Sequence, residues 1–370
     1  MAAAEWQDRV RRLFTVSLSE FNPFRGQESY VAIDIGSSSI KMLEVRTAAD
    51  RLELLNWGSI PTPAAAIQSN MVSEPDRVAE AVRALLEAKG VRAKKGITAV
   101  PGPAVMIKRV TLPAQSAQDT ENTIMFEAGN FIPEELDNVN LDYQVIGTKQ
   151  ESKEMEVLLA AAKKDIVGSY AETLRGAGLL PVVVDVDYFA LDNLYELNYE
   201  PVAGQVVALV NIGARYSSIN ILKGGRSTFT GDVPVGGRDI TEALTRDLGV
   251  PAEEAERLKT GKGGGFDAEQ LNMALGPAVD ALIEEIHYAL SFFWTAATDE
   301  RIDLLYLSGG AAQTPELAQR LAERIEAPVE VTDPFSHIAL NPSIDAAALQ
   351  RRASEFAVAL GLSVRRPGDK

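Results

Sequence analysis

Two short stretches carry side chains whose types and spacing suit joint chemistry. Residues 31–45 read VAIDIGSSSIKMLEV, and residues 206–222 read VVALVNIGARYSSINIL. In the first, Asp34 ends an apolar run, Gly36 turns the chain, Ser37, Ser38 and Ser39 follow, and Lys41 stands on the return run. In the second, Asn211 and Gly213 take the places of Asp34 and Gly36. Ser217-Ser218-Ile219-Asn220 then aligns with Ser38-Ser39-Ile40-Lys41, provided the second turn holds two extra residues. A tight glycine turn exposes successive backbone N–H groups that cradle phosphate oxygens, hydroxyls add donors, and a lysine adds positive charge. A carboxylate at the strand end does not bind phosphate, but it holds Mg²⁺ through water or orients an attacking water. A single such turn reads equally well as ordinary hairpin geometry. Two in register predict two similar lobes, each presenting a hairpin tip to one shared cleft for a Mg-nucleotide.

The elements that must position these tips are legible from periodicity. YVAIDIG, SIKMLEVR and LELLNWGSI alternate as a strand meander. PDRVAEAVRALLEAKG reads as a helix, with Pro75 near its start and Gly90 near its stop. ITAVPGPAV is a strand broken by Pro101 and Pro103. It leads through MIKRVTLP, a helical NTIMFEAGNFIP and two further strands to the helix DIVGSYAETLRGAGL and the strand PVVVDVD. A third ligand-facing piece lies in IDLLYLSGGAAQTPELAQRLAERI, residues 302–325. There a strand, Gly309, Gly310 and Ala311 precede a helix opened by Thr314-Pro315. Such a turn lets backbone approach a ligand closely, and the helix start favours anions.

The totals exclude several classes. The chain has 370 residues, enough for two domains, and a net charge of −16, which argues against a nucleic-acid partner held by broad electrostatics. It has no cysteine, and its two histidines, His287 and His337, lack metal-ligand spacing. No apolar run reaches the ~18–20 residues that span a bilayer, and the amino terminus lacks a signal-peptide core. A cytoplasmic chain is expected. In residues 1–28, Trp6, Val10, Leu13 and Phe14 fall at roughly helical spacing beside Arg9, Arg11 and Arg12. They read either as an interfacial or partner-binding arm or as a helix packing on its own domain.

The sequence resembles the actin-like ATPase superfamily. The two hairpins are similar to its phosphate motifs, LLYLSGGAA to its adenosine motif, VVVDVDYFALDNL to its first connecting motif and AVALGLSVR (357–365) to its second. Within that superfamily, AIDIGSSSIKMLEV, FEAGNFIPEELDNVNLDYQVIG (126–147), GDVPVGGRDITEAL and PAEEAERLKTG (251–261) resemble the PilM family of type IV pilus assembly proteins. The resemblance implies an α/β, actin-like (ribonuclease H-like) two-lobed fold with the extra α+β subdomain that PilM shares with FtsA. It implies a first lobe at 29–96, continued at 181–202 and 345–370, an inserted subdomain at 97–180, and a second lobe at 203–344. The arm 1–28 stands outside these.

By the same resemblance, Asp34, Gly36, Ser37, Ser38, Ser39 and Lys41 form the first phosphate site, with Asp34 holding Mg²⁺ through water. Gly213 belongs to the second phosphate site, and Gly236 and Gly237 lie near the nucleotide. Glu256 and Lys259 flank the ribose or base, although an i, i+3 charge pair on a solvated face reads equally well. Gly309, Gly310 and Ala311 meet adenosine. The implied ligand is ATP or ADP with Mg²⁺. The implied partners are the N-terminal peptide of a PilN-like inner-membrane protein, other pilus-machine components and a further copy of the chain, so that the protein sits at the inner-membrane face through its partners. Asn211 departs from the family pattern, where a second aspartate is usual. An amide positions water but is no base, so turnover is expected to be slow or absent, with Asp185 or Asp187 left to compensate. Arg215 and Tyr216 are expected to enlarge and crowd the second turn. GKGGG (261–265) lacks phosphate-loop spacing and reads as a mobile loop. The alternatives are a nucleotide-free docking module of the same fold, an FtsA-like membrane-associated division protein and, least favoured, a sugar-kinase-type enzyme.

Overall fold

The structure is a computed structural model, and it describes residues 29–48, 51–114, 117–149, 153–297 and 300–369; the arm at 1–28 lies outside the described residues. The chain opens with β1 (Ser29–Ile35), β2 (Ser39–Ala48) and β3 (Arg51–Pro61), an antiparallel meander. Val31, Ile33 and Ile35 enter one core cluster and Tyr30 and Ala32 another. A strand buried on both faces has to be apolar at nearly every position, which is why VAIDI shows no polar alternation until Asp34. A two-stranded ribbon, β4 (Ile67–Gln68) and β5 (Met71–Val72), precedes α1 (Pro75–Ala88). Pro75 opens that helix, and Val78, Ala79, Val82, Leu85 and Leu86 form its buried stripe. β6 (Lys95–Val100) returns parallel to β1.

The chain then leaves the sheet at Pro101-Gly102-Pro103 for an insert made of β7 (Val105–Pro113), α2 (Ala117–Phe131), β8 (Val139–Lys149) and β9 (Glu154–Lys163). Its strands pair in the order β7-β9-β8 around Val110, Leu112, Ile124, Val157 and Leu159. Next come α3 (Lys164–Gly176), β10 (Leu180–Val186) and α4 (Asp187–Asn198). The sequence reading began the insert at residue 97 and ended it at 180. The structure corrects both limits. β6 is a central strand between β1 and β10, and α3 packs Tyr170 and Leu174 into the same cluster as α1. The prolines at 101 and 103 therefore mark the exit from a finished strand, not a break inside an insert strand.

The second half repeats the plan. β11 (Val206–Ile212), β12 (Ser217–Lys223) and β13 (Arg226–Val233) form a meander followed by α5 (Gly237–Leu248), α6 (Ala252–Lys259), α7 (Ala268–Ala296), β14 (Leu304–Ser308), α8 (Leu317–Ile325) and β15 (Val329–Val331). The sheet order β13-β12-β11-β14-β15 matches β3-β2-β1-β6-β10 strand for strand, two antiparallel pairings followed by two parallel ones. β16 (Ala339–Leu340) crosses back to pair with β3, so the return to the first sheet comes before residue 345, where the sequence reading put it. α9 (Ala346–Gln350) and α10 (Ala357–Ser363) complete the chain. Leu209, Leu222 and Tyr306 of the second sheet share a core cluster with α4 and α10, and Tyr199 stacks on Tyr306 with ring centroids 4.1 Å apart. A packed aromatic seam thus joins the lobes.

Candidate functional site

The duplicated hairpins have the same length. Asp34 pairs across the strands with Lys41, and Asn211 with Ser218. Gly36 N–H donates to Ser39 O at 3.1 Å, and Gly213 N–H donates to Tyr216 O at 3.1 Å. The two extra residues expected in the second turn are absent, so Gly36-Ser37-Ser38-Ser39 corresponds to Gly213-Ala214-Arg215-Tyr216. Matching serine to serine shifted the alignment. Backbone register is set instead by the glycine N–H that closes each loop. In this register the ion pair Asp34–Lys41, at 2.9 Å, is matched by the neutral pair Asn211–Ser218. The acid and its counter-charge are both missing from the second hairpin. Asn211 Oδ1 instead accepts from Ser308 Oγ at 3.3 Å. The amide is thereby held by a neutral donor.

The first tip is clamped by the residue that follows β3. Thr62 N–H donates to Ser38 O at 3.0 Å, and Thr62 Oγ1 donates to Gly36 O at 2.6 Å. The second tip is held by the start of α5. Gly237 N–H donates to Gly213 O at 2.8 Å, and Arg238 N–H to Ala214 O at 2.9 Å. A Cβ on Gly236 would lie 2.6 Å from Gly213 O, so only glycine lets the helix start this close to the hairpin. Gly309, at φ +94°, crosses against the end of β11, where a Cβ would sit 2.7 Å from the Ile212 carbonyl carbon. Ala311 is buried against Gly237, whereas Gly310 faces open space. The structure therefore brings Gly213, Gly236, Gly237, Gly309, Gly310, Ala311 and Lys259 into one neighbourhood.

Lys259 is no solvated partner of Glu256. It is buried, and its Nζ donates to Gly237 O at 3.0 Å, Thr241 Oγ1 at 2.9 Å and Glu256 Oε1 at 2.7 Å. The lysine ties α6 to the first turn of α5. Lys259→Met should lower the unfolding free energy by about 2 kcal/mol, because Gly237 O and Thr241 Oγ1 lose a charged donor while the half-exposed Glu256 is resolvated. Urea denaturation measures this, and an unchanged midpoint would show that the ammonium holds nothing.

Between the tips lies a cleft of ≈ 530 Å³, lined by Ser38 from the first lobe and by Ala214, Arg238, Thr241, Thr245 and Glu256, among others, from the second. Arg238, Thr241, Glu242, Thr245 and Arg246 form one face of α5 at spacings of three and four. The sequence reading missed this face, although its polar period in GRDITEALTRDL was visible. Thr245 Oγ1 is buried in the cleft wall without a hydrogen-bond partner. The turn at 261–265 is not part of the lining.

The two connecting-motif acids separate. Asp185, taken as a catalytic candidate, lies inside the first lobe with its carboxylate 3.0 Å from Arg365, and burial raises its pKa against the pull of that guanidinium. It does not reach the cleft hairpins. Asp187 does. Its Oδ1 accepts from Gly102 N–H at 2.8 Å and its Oδ2 from the Tyr216 hydroxyl at 2.7 Å. Burial pushes its pKa up to about 7, against the opposing pull of the Tyr216 hydrogen bond. Arg215 and Tyr216 do not swell the second turn. They extend across to the first lobe, where Arg215 Nη1 donates to Ile67 O at 3.1 Å.

The comparisons with known proteins decide the family. The model of the family "Type IV pilus assembly protein PilM" matches residues 32–367. The chain belongs to the PilM family. It is similar to a chain of the solved PilM-PilN type IV pilus biogenesis complex, with 29% identity and a TM-score of 0.79, covering 92% of this chain and 99% of that one. It is similar in fold to MreB5 of Spiroplasma citri bound to ADP, at 9% identity and a TM-score of 0.50, covering 91% and 95% of the two chains. Among curated proteins it resembles the cell division protein FtsA of Bacillus subtilis (strain 168), 23% identical over 259 residues that are 63% of this chain and 57% of that relative's length. The fold of this PilM-family chain is actin-like, and the protein is an actin-like type IV pilus assembly protein. Among the described residues no helix is long and apolar enough to cross a membrane.

Proposed function

We propose that this chain is a nucleotide-binding scaffold of a type IV pilus or type II secretion-like machine. It takes ATP or ADP between its two hairpins and links to the cytoplasmic tail of a PilN-like inner-membrane protein. One observation carries the nucleotide reading: two hairpins of identical register, one from each lobe, face a single cleft. At ≈ 530 Å³ its size falls in the range of small-molecule sites. Ser37, Ser38 and Ser39 would meet phosphate, while Arg238, Glu242 and Glu256 would meet the nucleoside.

Among the described residues no cluster of three acids or histidines offers a ready cation site. Mg²⁺ would therefore arrive with the phosphates and touch the protein only through water at Asp34. Asn211 supplies no base, and both oxygens of Asp187 are engaged, which supports slow or absent turnover. The partner reading is supported by the likeness to the PilM-PilN complex, and under it the chain would sit at the membrane through its partner.

Calorimetric titration with ATP and Mg²⁺ tests the proposal, run beside Asp34→Ala. The parent is expected to bind, and the variant to bind at least about tenfold more weakly, a loss of about 1.4 kcal/mol. No binding by the parent would favour a nucleotide-free docking module of the same fold.

A further inference from the structure

The two hairpin tips have diverged at equivalent positions. Where the first carries Ser38 and Ser39, the second carries Arg215 and Tyr216. Short hydroxyls leave the first tip open to the cleft. The long side chains of the second fasten on the other lobe, Arg215 on the carbonyl of Ile67 in β4 and Tyr216 on the carboxyl of Asp187 at the start of α4. Half of a duplicated phosphate hairpin has become a clasp between lobes.

Asp187 is a junction. It is 5% exposed, and its second oxygen is taken by Gly102 N–H, at the point where β6 leaves the first sheet for the insert. Gly102 is itself wedged against Tyr188, since a Cβ there would overlap the phenol ring. Tyr188 in turn bonds the second lobe twice. Its hydroxyl meets Asp232 of β13, and its carbonyl accepts from Asn220 Nδ2 at 3.2 Å. The insert touches β13 as well, through Arg109, which donates to Ser227 O and pairs with Glu156. A shift of Gly102 would therefore bear on Asp187 and Tyr188, and a swing of the second lobe would pull on the Tyr216 hydrogen bond.

We propose that Arg215, Tyr216 and Asp187 form an interlobe latch that ties the two lobes together and sets the rates at which nucleotide enters and leaves the cleft, with the Gly102 contact making the insert its lever. This rests on the nucleotide reading above. The latch has two states, bonded and released. A ligand seated on the insert shifts their balance only as far as it prefers one hinge position, and so changes the rates of nucleotide exchange by no more than that preference.

The test is stopped-flow kinetics on the full chain with a fluorescent ribose-labelled ADP, wild type against Tyr216→Phe, which keeps the ring and removes the bonding hydroxyl. Entry and release are both expected to quicken about tenfold, leaving Kd within about threefold, because a gate acts on both directions. Deuterium exchange of the peptide holding residues 98–104 is expected to rise in the same variant, far along the chain from the substitution. A rise in release alone would make Tyr216 a ligand contact and overturn the latch. So would bound nucleotide that enters and leaves the variant at wild-type rates. Absence of binding by the wild type overturns the nucleotide reading instead, and with it the latch's part in exchange.

Discussion

Gly361→Ala is expected to cost this chain roughly 3–5 kcal/mol of stability, with a matching loss of soluble yield. Gly361 sits where α10 crosses α4. A Cβ there would fall far inside van der Waals contact with the Ala190 carbonyl oxygen and 2.5 Å from its carbon. Both obstacles are backbone, so no rotamer change relieves them. Nor has either helix room to move, since Phe356, Ala357, Leu360 and Leu362 are completely buried around the crossing and join it to Leu43, Val45 and Ile97 of the first sheet. The control is Gly168→Ala on α3, where a Cβ meets nothing within 4 Å. That change should stabilise by up to about 1 kcal/mol, because alanine is the better helix former. Urea midpoints of the two variants decide the matter. A Gly361→Ala protein that unfolds at the wild-type midpoint would mean that the helices are not in backbone contact.

The second large effect is a fall in stability as pH rises towards neutrality, traceable to one buried proton. Asp187 has its pKa pushed up to about 7, chiefly by burial and further by Asp232, against the hydrogen bonds from Tyr216, Gly102 and Tyr188 that favour the charge. Asp232 is itself raised to about 6, again mainly by burial, although its surface exposure makes its share of the effect small. In the unfolded chain an aspartate titrates near ~3.9. Between about pH 4 and 7 the native state therefore holds a proton that the unfolded state has lost, and the slope of unfolding free energy with pH is negative there. The contribution of Asp187 is whole at the acid end of this window, declines as pH climbs to about 7 and is flat beyond it. At roughly 1.4 kcal/mol per unit of pKa, it amounts to a few kcal/mol. The net charge of −16 pushes the same way, since neutralising carboxylates relieves self-repulsion. The decisive comparison is thus between wild type and Asp187→Asn, which mimics the protonated acid. Urea midpoints from pH 5.5 to 8.5 should fall clearly less steeply in the variant. Equal slopes would place the proton elsewhere.

The sequence alone determined the repeated strand-turn-strand units, the helix at 75–88 and the glycine turn after β14. These are local properties. An apolar run buried on both faces, a proline at a helix start and a glycine that lets two backbones meet all leave their mark within a few residues. Because the same local units recur in the same order, the two-lobed plan was legible, and Gly36, Gly213 and Gly309 stood out as turn residues. What the sequence hid were relations between distant residues. The true register of the second hairpin is set by a backbone hydrogen bond, so matching serines misaligned it. The first limit of the insert was misplaced because β6 reads alike whether its neighbours are β1 and β10 or the insert strands. Lys259 could be read equally as a nucleotide-flanking residue or as half of a solvated charge pair, because its acceptors, Gly237 and Thr241, lie one helix earlier. Asp185 and Asp187 are two residues apart and chemically identical. Only the closing of the second lobe, which carries Tyr216 to one and leaves Arg365 to the other, gives them separate environments. Such contacts join residues from 29 to 180 positions apart. No local pattern encodes them, because they exist only once both sheets have formed and docked.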